Sequence, residues 1–138
     1  MEFNSIQPKD YTEKTFGYCI RERRIELGRS IRDVANCSGM SDAYLGDIEK
    51  SLRVAPLNTA KGKTLMENLI RELQIKDDEV DAFYAMAKVS SGKYPDLSLY
   101  LSKNPSARLA LRLADESNLS NDEWAKFIEH IREITSSD

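Results

Sequence analysis

Two short runs of apolar residues at helical spacing lie within residues 30–52, separated by a glycine. Ser30 and Ser41 each precede one run, and serine is a preferred residue at the N-cap of a helix. Gly39 lies between the runs, where a positive φ angle lets the chain reverse. The positions expected to be buried are Ile31, Val34 and Ala35 in the first run and Leu45, Ile48 and Leu52 in the second. The pattern therefore predicts two short helices joined by a tight turn.

Helical patterning continues along the rest of the chain. Apolar spacing and capping residues predict further helices over about 14–28, 64–74, 77–88, 96–101 and 105–116, and one that begins after residue 120. Between the third and fourth helices, residues 52–63 have no clear periodicity and contain Gly62 as a helix breaker. Leu109 and Leu113 are expected to be buried on the seventh helix. The fold class expected from this pattern is all-α.

The same pattern divides the chain into three segments. Residues 1–13 mix polar residues and proline without periodicity, which predicts an N-terminal arm. Residues 14–90 carry the first five helices and form the predicted main domain. Residues 91–138 form a predicted helical C-terminal extension.

Charge is distributed unevenly between the two parts of the chain. The 138 residues include 20 Lys and Arg against 23 Asp and Glu, which gives a formal net charge of −3. Residues 1–76 hold 13 basic and 11 acidic side chains, whereas residues 77–138 hold 7 basic and 12 acidic ones. Such polarity orients a protein on a polyanion even when the net charge is negative. The two short helices lie in the less acidic part.

Several classes of function find no support in the sequence. It lacks the apolar run of roughly 18–20 residues that a membrane span needs and opens on no secretory signal, so we expect a cytoplasmic protein without a membrane partner. Cys19 and Cys37 form no metal or redox motif and are expected to be reduced thiols. His130 has no second ligand or base at a useful spacing, and no nucleophile–base pair or phosphate-binding glycine loop occurs. We expect no enzymatic activity, metal or cofactor.

Residues 16–73 carry a further set of coinciding spacings. They are Phe16-Gly17, Ile20-Arg21-Glu22 and Arg24; Ser30 and Val34-Ala35; Ser41, Tyr44-Leu45 and Ile48-Glu49-Lys50; Arg53 before Pro56; and Thr64-Leu65, Leu69-Ile70 and Leu73. Together they resemble the Cro/repressor (XRE-like) family of helix-turn-helix regulators over a little under half of the chain. The resemblance implies a repressor-like helix-turn-helix bundle of about five helices, followed here by the helical extension. It also implies sequence-specific binding to double-stranded DNA, with the helix at 41–51 as the recognition helix.

The resemblance also assigns candidate contacts by position. The residues expected to face the bases are Ser41, Asp42, Ala43, Tyr44 and Asp47. The residues expected to contact phosphates are Ser30, Arg32, Lys50, Arg53, Lys61 and Lys63. A regulator of this type acts as a homodimer on a palindromic operator. The candidate dimerisation residues are Trp124, Phe127, Ile128 and Ile131 in the extension.

The chain departs from the family pattern in four respects. Ile31 stands where the family usually has glutamine, Ser51 replaces a glycine, and residues 57–63 resemble an insertion. Asp42 and Asp47 are acidic at outward positions of the recognition helix, where phosphates repel a carboxylate but cytosine N4 can donate to it. The acidic Asp42 and Asp47, the missing glutamine and the negative net charge favour an alternative function, a protein-interaction module of the antitoxin or antirepressor type with little or no DNA binding. The basic stretch from Lys50 to Lys63 disfavours this alternative. The sequence identifies neither the operator, the regulated genes, an effector nor the direction of control.

Overall fold

The turn between the two short helices sets the geometry on which the candidate site depends. The computed structural model describes residues 2–7 and 10–136, apart from the side chains at 95 and 96. Helix α2 spans Ile31–Ser38 and helix α3 spans Asp42–Glu49. Ser30 Oγ accepts a hydrogen bond from the Asp33 amide at 3.1 Å, and Ser41 Oγ accepts one from the Tyr44 amide at 3.0 Å. Gly39 has a φ of +84°, which confirms the predicted caps and turn.

Six more α-helices complete the described part of the chain, which contains no strand. They are α1 (Phe16–Glu26), α4 (Ala60–Glu72), α5 (Val80–Ser90), α6 (Pro95–Lys103), α7 (Pro105–Glu116) and α8 (Asn121–Ser136). The chain divides into two compact units, the N-terminal unit Met1–Asp96 and the C-terminal unit Leu97–Asp138. The expected all-α class is confirmed. None of the described helices is both long and apolar enough to cross a membrane.

The core of the N-terminal unit is assembled from α1 to α5 and the start of the chain. Helix α1 packs against α3 and α5, and α2 packs against α3 and α4. Phe83 of α5 lies at the centre, with edge-to-face contacts to Phe16 at 5.0 Å and to Phe3 at 5.5 Å between ring centroids. The largest fully buried side chains are Phe3, Phe16, Ile20, Val34, Leu45, Ile48, Met66, Leu69, Leu73, Glu79, Phe83 and Met86. The two short helices thus contribute their apolar faces to one core.

The start of the chain takes part in this core, which differs from the arm expected at 1–13. Phe3 is fully buried and Ile6 is buried beside it. The Phe3 amide donates to Oε2 of buried Glu79 at 2.8 Å, and Oε1 of Glu79 accepts from the Lys76 amide at 3.2 Å. A carboxylate loses hydration on burial, and these two donors replace part of it. Residues 1, 8 and 9 of the expected arm lie outside the described residues.

Two expectations around residues 50–63 are wrong. Leu52 was expected to be buried on α3, but α3 ends at Glu49 and Ser51 has a φ of +61°, so Leu52 turns into the loop and is 71% exposed. Helix α4 was expected to begin at about residue 64, after Gly62, but it begins at Ala60. Thr59 caps this earlier start, since Thr59 Oγ1 accepts a hydrogen bond from the Gly62 amide at 2.9 Å. Gly62 is therefore a helical residue, and its lack of a side chain leaves room for the Pro56 carbonyl.

Long polar side chains tie the helix ends of the N-terminal unit together. Arg23 Nε donates to the Leu73 carbonyl at 2.8 Å, at the end of α4. Arg29 donates to the Glu72 carbonyl at 2.9 Å, to the Glu72 carboxylate at 3.1 Å and to Asp33 at 2.7 Å. Asn68 Nδ2 donates to the Ser38 carbonyl at 3.0 Å, at the end of α2. These donors satisfy carbonyls that lack partners within their own helices.

The C-terminal unit is different in character. All of its described residues, 97–136, are exposed or half-exposed, and none is buried. Leu109 and Leu113 were expected to be buried, but they are 57% and 52% exposed. The bounds of α7 agree with the prediction, since Pro105 occupies its first turn after Asn104. The local helix signals are thus sound, and the expected burial is wrong.

The two cysteines are free thiols in different environments. Cys19 lies in the core, and burial raises the pKa of its thiol to about 12. Smaller effects come from Lys14, which lowers this pKa, and from Glu22, which raises it. Cys37 is exposed at the end of α2.

Gly17 tests the close contact between α1 and α3. A Cβ atom added there would lie 2.2 Å from the Ile48 carbonyl oxygen, so Gly17→Ala should lower the free energy of unfolding by about 3 kcal/mol. Gly46→Ala is the matched control, since its Cβ would meet nothing within 4 Å and alanine favours a helix by ~0.5–1 kcal/mol. Urea unfolding of both variants measures the difference. Equal stabilities would mean that α1 and α3 do not approach as closely as described.

Candidate nucleic-acid interface

The candidate site is the outward face of α3 with the loop that follows it. Ser41, Asp42 and Ala43 are exposed at the start of α3, and Asp47 is half-exposed one turn further on. On the opposite side, Leu45 and Ile48 are each 1% exposed. The helix therefore has one buried and one accessible face, and four of the five predicted base-facing residues lie on the accessible one.

Tyr44 has a mixed position. Its ring is half-buried and packs against the core of the N-terminal unit. The guanidinium carbon of Arg53 lies 5.5 Å from the centre of the ring, within the range of a cation–π contact. Tyr44 therefore contacts the loop after α3 through Arg53, and it also lies beside the other predicted base-facing residues.

A buried ion pair holds α3 in place from the core side. Arg24 Nε and Nη2 donate to the two carboxylate oxygens of Glu49 at 2.8 and 3.0 Å, and Arg24 Nη1 donates to the Arg29 carbonyl at 2.9 Å. Arg24 is 9% exposed and Glu49 is 6% exposed. A bidentate pair of this kind fixes direction as well as distance. The last turn of α3 is thus locked onto α1.

Each acidic residue on the outward face has an arginine within ion-pair distance. Arg32 Nε of α2 lies 3.9 Å from the Asp42 carboxylate, and Arg53 Nε of the loop lies 3.6 Å from the Asp47 carboxylate. The amides of Leu52 and Arg53 both donate to the Asp47 backbone carbonyl, which folds the loop back over the end of α3. The local charge of this face is therefore mixed and not purely acidic.

The predicted phosphate-contacting residues occupy several places. Lys50 is exposed at the C-terminal end of α3, and Ser30 is exposed at the start of α2. Lys61 lines a cleft of about 370 Å³ together with Ser41 and Tyr44, where the first turn of α4 comes close to the start of α3. Lys50, Arg53 and Lys61 therefore border α3 at its end, its following loop and its beginning.

Lys63 lies in a different place from Lys61. It lines a second cleft, of about 480 Å³, whose wall also includes Tyr84, Lys88 and Lys93. Lys93 Nζ donates to Asn58 Oδ1 at 3.3 Å across this cleft. Burial and the nearby Glu67 carboxylate raise the pKa of Tyr84. The structure therefore places Lys63 in a basic cluster with Lys88 and Lys93, which no pattern in the sequence indicated.

The buried ion pair and the basic cluster, which the sequence did not reveal, both bring together residues that are far apart along the chain. Arg24 and Glu49 are 25 residues apart, and Lys63 and Lys93 belong to different elements. Arg24 carried one signal, because a charged residue beside the buried positions of a helix requires a partner. No pattern in the sequence identifies Glu49 as that partner.

Two carboxylates near the start of α2 are held in their charged form. The hydrogen bond from Arg29 lowers the pKa of Asp33, and hydrogen bonds from Arg71 and then Arg29 lower that of Glu72. Both ionised carboxylates therefore stabilise the folded state at pH values above the pKa that a carboxyl group has in the unfolded chain. This stabilisation is lost as the pH falls through the lowered pKa values of the folded state.

Among the described residues, no group of three or more potential metal ligands occurs.

The candidate dimerisation residues belong to the C-terminal unit. Trp124 is half-exposed, and Phe127, Ile128 and Ile131 are exposed. The rings of Trp124 and Phe127 lie 5.8 Å apart between centroids.

Comparison with known proteins returned no match to a family model, a curated protein or a solved structure.

The buried pair can be tested by removing one of its charges. Glu49→Gln leaves the Arg24 guanidinium buried without its counter-ion, and we expect a loss of about 3–5 kcal/mol in the free energy of unfolding. Glu22→Gln, at the exposed 3.6 Å pair with Arg21, should cost at most about 1 kcal/mol. Denaturant titrations of both proteins provide the measurement. A loss for Glu49→Gln as small as that of the control would contradict the anchoring role.

Proposed function

We propose that this chain is a cytoplasmic, sequence-specific DNA-binding transcriptional regulator of the Cro/repressor type. It acts as a dimer on operator DNA, with α3 as the recognition helix in a repressor-like bundle of about five helices. The observation that carries the proposal is α3 itself: a capped helix, locked to the core by its last turn, with an accessible face bordered by basic side chains. The proposal includes no catalytic activity and no cofactor.

The outward residues of α3 offer groups that can distinguish base pairs. Asp42 and Asp47 can accept a hydrogen bond from cytosine N4, and Ala43 can contact the methyl group of thymine. Ser41 provides a hydroxyl at the start of the helix, although this hydroxyl already accepts the Tyr44 amide. These residues would give the protein its preference among sequences.

The basic residues around α3 would supply the part of the affinity that is independent of sequence. Lys50, Arg53 and Lys61 border the helix, and each phosphate contact releases counter-ions and makes binding sensitive to salt. The exposed pairs of Arg32 with Asp42 and Arg53 with Asp47 are weak, since solvent screens them. The two arginines can therefore exchange a carboxylate for a phosphate at little cost.

A second candidate is a protein-interaction module of the antitoxin or antirepressor type. The outward Asp42 and Asp47 and the formal net charge of −3 favour it, because a phosphate backbone repels both. The exposed lysines and arginines beside α3 would then contact an acidic protein surface. Titration with mixed-sequence duplex DNA at low salt separates the two candidates, since only a DNA-binding regulator binds the duplex under these conditions. Only a regulator also enriches a defined site when it is offered random duplexes.

Lys61 tests the phosphate contacts. Lys61→Gln should make the slope of log K against log [salt] less negative by about 0.9 for each contact that is removed. Lys103→Gln, which removes an exposed lysine of the C-terminal unit, should leave the slope unchanged. Fluorescence anisotropy at several salt concentrations gives both slopes. If Lys61→Gln binds with the slope of the unmodified protein, Lys61 does not contact a phosphate.

Asp47 tests the base-facing surface. Asp47→Asn should raise the affinity for random DNA by roughly two- to fivefold, because it removes a repelling charge and frees Arg53. It should also change the base that is preferred at one position of the selected site. Asp81→Asn, an exposed acidic residue on α5, is the charge-matched control. No change in affinity or preference would mean that Asp47 faces away from DNA.

A further inference from the structure

The C-terminal unit displays large apolar side chains without a core of its own. None of its described residues is buried. Its exposed large apolar residues are Leu97, Leu99, Tyr100, Leu109, Leu111, Leu113, Phe127, Ile128, Ile131 and Ile134, each between 46% and 64% exposed. Exposing so many large apolar side chains is costly in water, and such exposure is typical of a surface that another molecule covers.

The three helices are nevertheless well defined locally. Arg108 Nη1 donates to the Leu101 and Ser102 carbonyls at 2.6 and 2.9 Å, which satisfies the end of α6. The Glu123 amide donates to Ser120 Oγ at 3.2 Å, which caps α8. A unit of about 40 residues usually needs oligomerisation, a metal or disulfides to stay folded. Both cysteines lie in the N-terminal unit, and the described residues offer no metal cluster.

We propose that a second copy of this chain covers the apolar faces of α6, α7 and α8, so that the C-terminal units of two chains share one core. The area supports this occupant. Ten side chains that are each about half-exposed present on the order of 1,000 Å² of apolar surface per chain, and a stable dimer buries roughly 800 Å² per partner.

The spacing on α8 fits a helix–helix seam between two copies. Trp124, Phe127, Ile131 and Ile134 follow one another at intervals of three, four and three residues, which is the a/d pattern of paired helices. Ile128 widens this stripe toward one flank. The seam includes three of the four predicted dimerisation residues and adds Ile134, while α6 and α7 enlarge the surface beyond α8.

Charge favours a second copy over a nucleic acid. Residues 97–138 hold five basic and seven acidic side chains, which repel a polyanion. On α8 the two signs alternate: Arg132 pairs with Glu129 at 2.6 Å, and Lys126 lies on the same helix as Glu133. Two copies of a mixed surface can approach without strong repulsion. The inference rests on the dimer of the proposed function and locates its interface. It concerns association without DNA, so that its failure and a failure of DNA binding give different results.

The test measures association and helix content together in the full chain without DNA. Sedimentation velocity and far-UV circular dichroism are recorded over a dilution series from high micromolar to nanomolar concentration. We expect a dimer at high concentration, and we expect helical signal to fall as the dimer dissociates, because α6–α8 lose their shared core.

Two lysine substitutions on α8 locate the interface. Ile131→Lys places a charge inside the apolar stripe, twice in each dimer, and should weaken association by roughly a hundredfold or more. Ala125→Lys adds the same residue to the same helix outside the stripe and should leave association unchanged. Sedimentation reports association even if Ile131→Lys also lowers the helical signal. A wild-type chain that stays monomeric with full helicity, as it would if the C-terminal unit packed against its own N-terminal unit, overturns the proposal. Association that survives Ile131→Lys also overturns it.

Discussion

The buried ion pair between Arg24 and Glu49 is the interaction on which the candidate interface depends. Removing two charges from water is costly, and the pair offsets this cost only because its geometry is bidentate and Arg24 has a further acceptor in the Arg29 carbonyl. The close contact at Gly17 brings α1 against the same turn of α3. Because these buried contacts hold α3 from its inner side, its outer face is available for binding.

The outer face of α3 combines acidic reading positions with basic borders. A carboxylate near phosphates is unfavourable by itself, yet Asp42 and Asp47 each have an arginine within 4.0 Å. Exposed pairs of this kind contribute little to stability, so their partners can be exchanged without unfolding anything. This arrangement reconciles a net charge of −3 with the proposed binding to a polyanion. The shared core proposed for two C-terminal units would hold two such faces in one assembly.

Local signals in the sequence predicted local structure well. The serine caps, Gly39 and the start of α7 at Pro105 are decided within a few residues, and the structure confirms them. The start of α4 was missed because Gly62 normally breaks helices, whereas here the Thr59 cap and the nearby Pro56 carbonyl determine its role. Contacts between distant residues had no such signal. Glu79 binds Phe3 across 76 residues, and neither residue type identifies the other. The base-facing residues remain a prediction from the resemblance.

The most direct test of the account is the mapping of backbone amide signals by NMR while duplex DNA that carries the selected site is added to the full chain. We predict that the largest changes occur at 41–47, in the loop at 50–53 and around Lys61. The amide signals of α5 and α8 should change little. If no amide signal responds at low salt, or if the changes avoid α3, the account of α3 as a DNA-reading helix is wrong.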